Sequence, residues 1–118
     1  MQKRIKEFWL TIPDFEDYEV SNMGKVRSKE RTIIVSGVER LLVSRELAQN
    51  TCKRGFKNVG LSVQGTLYTR RVHRLVAEQF LPRKKGKEKV VHLSGDRNDN
   101  RYTNLRWCSH IGKDFYVA

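Results

Sequence analysis

Cysteine is scarce in this chain of 118 residues, and the two present, Cys52 and Cys108, lie far apart with no CxxC pair. That excludes a disulfide framework and a four-cysteine zinc site, and it suits a reducing compartment. Long apolar runs are missing as well. No stretch approaches the length of a membrane span, and the basic opening MQKRIKEFW is not followed by a signal-peptide core, so a cytoplasmic setting without membrane is expected. Aromatic residues make up only 9% and are not gathered on one strand, which argues against stacking on splayed RNA bases. Acidic residues are outnumbered, with 13 Asp and Glu against 24 Lys and Arg, for a formal net charge of +11. A balance this basic points to a polyanionic partner, although a charge kept for solubility would give the same count. With 38% apolar residues the chain can bury a modest core, as one domain or two small joined units.

Read from the start, residues 8–28 place Trp9, Ile12, Phe15, Tyr18, Val20 and Val26 between turn residues. Ser21, Asn22, Met23 and Gly24 form a turn between two strands, with Val26 inward and Lys25 and Arg27 outward. Residues 33–35 and 41–43 read as strands around Ser36 and Gly37, and residues 45–50 as a turn or a short helical piece. Phe56, Val59, Leu61 and Val63 mark another strand, Gln64 and Gly65 its turn, and residues 67–72 the return. Arg54, Lys57, Arg70 and Arg71 fall on the outward side of this hairpin, where a twisted basic sheet can lie against a DNA groove. The period then changes: Val72, Leu75, Val76 and Phe80 recur at helical spacing until Pro82. His73 opens this helix, read as a histidine bonded to backbone or a neighbouring loop. Arg83, Lys84, Lys85 and Lys87 form a basic connector that is solvated or grips phosphates.

The stretch VVHLSGDRNDNRYTNLRWC, residues 90–108, brings together a titratable histidine, a tight turn and a cluster of short polar side chains. Val90 and Val91 deliver His92 to the end of a strand, and Gly95 with Asp96 supplies the turn. Asn98, Asp99, Asn100 and Asn104 can then bond their own backbone in an irregular loop, before Leu105 and Trp107 alternate with Arg106 on a returning strand.

Histidine, Gly-Asp turn, Asn-rich loop and NLRW together resemble the core of the HNH endonucleases, particularly those of phage introns and free-standing phage genes. The earlier stretch, with its Trp, Ile-Pro, YEVSN, Gly and VRS, resembles the module that precedes many HNH domains, and VHRLVA with its following aromatic resembles their connecting helix. The resemblance implies an α+β fold: an N-terminal antiparallel sheet module over residues 1–71, then over 72–118 a connecting helix and a ββα-metal motif. It implies that His92 is the general base, that Asn104 orients it, and that Mg²⁺ or another divalent metal takes part. Arg97, Arg101 and Arg106 are placed to contact phosphates, and double-stranded DNA is the implied partner in an intracellular phage or bacterial setting.

The implied metal site is where the sequence departs from the pattern. The residue before the base, often an Asp or Asn in the family, is Val91, and the ligand position on the closing helix is Lys113. Neither offers an oxygen donor. Asp114, His110 and Asp96 are the substitutes within range, though each also reads as a surface or turn residue. Two functions follow: a metal-dependent DNA endonuclease, nicking or cleaving duplex DNA, or a catalytically degenerate HNH scaffold that binds DNA or a protein partner.

Overall fold

Strands β1 (Trp9–Ile12), β2 (Phe15–Ser21) and β3 (Val26–Ser28) form an antiparallel meander in the computed structural model, which describes residues 5–83 and 85–109. Alternation along β2 sends Phe15, Tyr18 and Val20 inward, and β3 adds Val26, which is fully buried. The hairpin β4 (Arg31–Val35) and β5 (Val38–Leu42) turns at Ser36 and Gly37, both at positive φ, as a two-residue turn with matching twist requires. It pairs with no other sheet among the described residues.

Residues 45–50 hold no helical piece. Arg45–Glu46 is a two-residue strand, β6, that closes the first sheet beside β3, because the backbone of Leu47 donates to the Val26 carbonyl and Ser28 Oγ accepts from Arg45 N. The third sheet comprises β7 (Asn50–Thr51), β8 (Lys57–Val63) and β9 (Thr66–Arg71).

Strand β9 runs without a loop into helix α1 (Val72–Phe80), whose inner face buries Val72, His73, Leu75, Val76 and Ala77. Leu81 follows in extended geometry, as expected ahead of Pro82. Strands β10 (Lys89–His92) and β11 (Leu105–Cys108) form the last hairpin, and a single 3₁₀ turn, Tyr102–Asn104, leads into β11. One core joins the first and third sheets, the helix and the last hairpin: Val20, Val26, Val59, Leu61, Val72 and Val76 are at most 1% exposed, and Leu105 and Trp107 pack into the same cluster. Each of the six contributes about 1.5–3 kcal/mol by leaving water. The ββ half of the expected ββα motif is present, and its closing helix would fall in residues 110–118, outside the described residues. No helix among the described residues is long and apolar enough to cross a membrane.

Candidate active site

His92 ends β10 on the same inward side as Val90, while Val91 faces the other way, across from Arg106 on β11. The ring of His92 is 6% exposed. Its Nε2 lies 2.7 Å from Oδ1 of Asn100. An amide oxygen only accepts, so Nε2 carries a proton, and in the neutral ring Nδ1 is then the nitrogen with the lone pair that can take a proton from water.

The side chain that touches the ring is therefore Asn100, not Asn104. The Asn104 amide is used at both ends inside the loop: its Oδ1 accepts from Ser94 N at 2.9 Å, and its Nδ2 donates to the Asp99 carbonyl at 2.9 Å. Its own carbonyl also receives Leu93 N at 2.7 Å. Asn104 thus sets the path of the loop, and the loop delivers Asn100. The sequence offers four Asn or Asp residues in this run, and spacing does not reveal which one the loop turns toward the histidine.

Asn100 rests on the first hairpin. Gly24, at φ +86°, packs against its Cβ and backbone, and the Asn22 carbonyl accepts Tyr102 N at 2.8 Å. Asn22 is itself fixed, its Oδ1 accepting from Phe8 N and its Nδ2 donating to the Lys6 carbonyl.

Behind His92 stands His73. Their ring centroids are 4.9 Å apart, and Phe56 stacks on His73 at 5.1 Å. His73 is 9% exposed, and its Nδ1 has no hydrogen-bond partner, so the expected bond to backbone or a neighbouring loop is not made through that atom. Burial first, then His92 and the guanidiniums of Arg71, Arg74 and Arg97, lower its pKa to about 3, so the ring is neutral near pH 7. Arg97 and Arg71 lie over Phe56 at 4.4 and 5.0 Å, and Arg97 also bonds the Arg54 carbonyl. Arg71 Nη1 reaches Cys52 Sγ at 3.0 Å. Desolvation raises the Cys52 thiol, but Arg71 together with the backbone at Arg54 and Phe56 outweighs it and brings the pKa down to about 7.

The basic residues do not make a single face. Strand alternation sends Arg70 and Arg71 to opposite sides of β9: Arg71 to Phe56, and Arg70 over Phe15 and Tyr68, where it joins a groove that includes Asp14 and Glu78. Arg27 is held by Glu19 at 2.9 Å and lies over Trp9. Arg101 forks onto Asp99, holding that carboxyl below the usual carboxylate range. Lys57 bonds Thr51, and Arg83 covers Trp107. Lys25, Arg54, Lys85, Lys87 and Arg106 are exposed, and Lys84 lies outside the described residues.

Among the described residues no group of three or more His, Cys, Asp or Glu side chains could hold a metal. Val91 is apolar and opposite an arginine, and Asp96 caps its own turn by accepting from Asn98 N at 2.9 Å. His110, Lys113 and Asp114 lie outside the described residues.

Residues 7–62 match the NUMOD4 motif and residues 70–111 match the HNH endonuclease family. An uncharacterized HNH endonuclease of Acanthamoeba polyphaga mimivirus is 30% identical over 102 residues, covering 86% of this chain and 27% of that protein. The DNA endonuclease I-HmuI of Bacillus phage SP01 is 36% identical over 102 residues, covering 86% and 52%. The solved structure describing DNA binding and cleavage by the HNH homing endonuclease I-HmuI aligns with a TM-score of 0.68 over the same shares. The chain spans about half the length, or less, of these relatives.

Proposed function

Since the chain belongs to the HNH endonuclease family, with a NUMOD4 motif ahead of its nuclease motif, we propose that it is a DNA endonuclease in which His92 activates water. The observation that carries this is the 2.7 Å contact between His92 Nε2 and Asn100 Oδ1, which leaves Nδ1 free to accept a proton. In the proposed step water gives a proton to Nδ1 and its oxygen bonds to phosphorus. One ester P–O bond breaks, and the leaving oxygen takes up a proton. Arg71 and Arg97, exposed beside the histidine pair, hold the phosphate backbone. In this reading residues 1–71 contact duplex DNA and residues 72–118 carry the chemistry. Divalent-metal dependence enters through the family, with Asp114 and His110 as candidate donors. No step is assigned to an ion, because the described residues hold no group of three or more His, Cys, Asp or Glu side chains for one.

The apolar Val91 facing Arg106 supports a second reading, a degenerate scaffold retained for binding DNA or a protein. Nicking of supercoiled plasmid in Mg²⁺ and in Mn²⁺ separates the two. Cleavage that EDTA and His92→Ala each abolish, by about 10²–10⁴-fold for the variant, is expected of the enzyme. Loss in Asp114→Ala would assign that carboxylate to the metal. Intact plasmid together with salt-sensitive DNA binding would leave the scaffold reading.

A further inference from the structure

His73 has a cost that the core does not explain. It is 9% exposed, stacked on Phe56, and its Nδ1 has no hydrogen-bond partner. A phenyl ring would fill the same layer without burying an unpaired nitrogen, so packing alone favours phenylalanine here. A second neighbouring ring is His92, at a centroid separation of 4.9 Å from His73 and 6.1 Å from Phe56. A buried unpaired polar atom is commonly met by a water molecule, and the neighbouring ring in this case is the one proposed to take a proton from water.

We propose that His73 is a further catalytic residue of this site, its Nδ1 holding the attacking water against His92. The inference rests on the endonuclease reading and adds a residue that the reading does not use. The geometry allows it: a water about 2.8 Å from a nitrogen of each imidazole lies about 4 Å from each ring centre, and two such rings stand about 5 Å apart when the angle at the water is about 80°, with bent hydrogen bonds. Asn100 fixes Nε2 of His92, and in the proposed arrangement Nδ1 of His92 shares the water with His73. The charged groups around the pair are Arg71 on β9, Arg74 on α1, and Arg97 and Asp99 in the loop. A second cationic imidazole would compete with them for the phosphate, whereas His73, kept uncharged by burial, can bond the water without becoming the base itself.

Two measurements test this. In single-turnover cleavage, His73→Phe keeps a ring but removes both nitrogens, and the rate is expected to fall at least about tenfold with DNA affinity unchanged. His73→Asn puts an amide near the position of Nδ1 and is expected to recover part of the rate, whereas His73→Gln, whose amide mimics Nε2, is not. A His73→Phe chain that cleaves as fast as wild type overturns the proposal. A high-resolution crystal structure of the wild-type chain gives a readout independent of activity. A water bonded to both His73 Nδ1 and His92 supports the proposal, and it does so even if plasmid stays intact, in which case the endonuclease reading alone fails. A dry Nδ1, one bonded to a protein group, or a water that does not reach His92 overturns it.

Discussion

A Cβ placed on Gly24 would lie 3.0 Å from Cβ of Asn100 and 3.1 Å from its carbonyl carbon and oxygen. The turn of the first hairpin is thus the floor under the residue that touches His92, and the absence of a side chain lets it approach. Gly24→Ala meets both this contact and a φ of +86°, so a loss of about 1–3 kcal/mol is expected in urea unfolding. Cleavage should fall with it, since Asn100 must move. A variant as stable as wild type would mean that the loop yields freely.

Asn100 and Asn104 should separate by phenotype. Asn100→Ala is expected to cut cleavage about 10–100-fold at unchanged DNA affinity, the range seen when an orienting partner is lost. Asn104→Ala removes bonds to Ser94 and Asp99 and should instead cost about 1–3 kcal/mol in denaturant titration. An inactive but fully stable Asn104→Ala, beside an active Asn100→Ala, would restore the orienting role to Asn104.

Acid should weaken the fold through His73. Its pKa falls from 6.5 to about 3, chiefly by burial and next by His92, so below pH 6.5 the unfolded chain binds a proton that the folded chain refuses. This contribution is fully present above the unfolded value and declines by about 1.4 kcal/mol per pH unit on the way down to the folded one. Urea unfolding at pH 7 and pH 5 reads it directly. His73→Phe should flatten the difference, and an equal slope in the variant would assign it to other groups.

The two thiols should react unequally. Cys52 is brought to about 7, mainly because Arg71 outweighs desolvation, whereas burial raises Cys108. Iodoacetamide is expected to modify Cys52 with a midpoint near pH 7 and to leave Cys108 slow. Arg71→Ala should move that midpoint upward; an unmoved midpoint would show that the turn amides suffice.

Much of the fold was legible because its signals are local. Gln64 and Gly65 turn the third sheet, Val72, Leu75 and Val76 share a helix face, and Val90 with His92 alternates against Leu105 and Trp107. Residues 45–50 were misread, since a two-residue strand has no period and exists only because β3 has an edge to pair with. At the site, the sequence marks His92, and the side chain that reaches its ring is Asn100, whereas Asn104 bonds the backbone just after the histidine. The choice between Asn100 and Asn104 depends on how the loop closes, and that closure leans on Gly24 and Asn22, more than 70 positions earlier. The cluster of Phe56, His73 and His92 had no signal at all, because its members come from a turn, a helix start and a strand end.

The β4–β5 ribbon has a different freedom. It pairs only with itself among the described sheets and leaves Ile34 and Leu41 71% and 61% exposed. No neighbouring strand sets its length. One added residue pair at the tip would extend its reach by about 3.4 Å and reverse which face the new side chains take, and two pairs would restore the original facing. The ribbon can therefore be lengthened, shortened or resurfaced while the floor beneath Asn100 stays as it is.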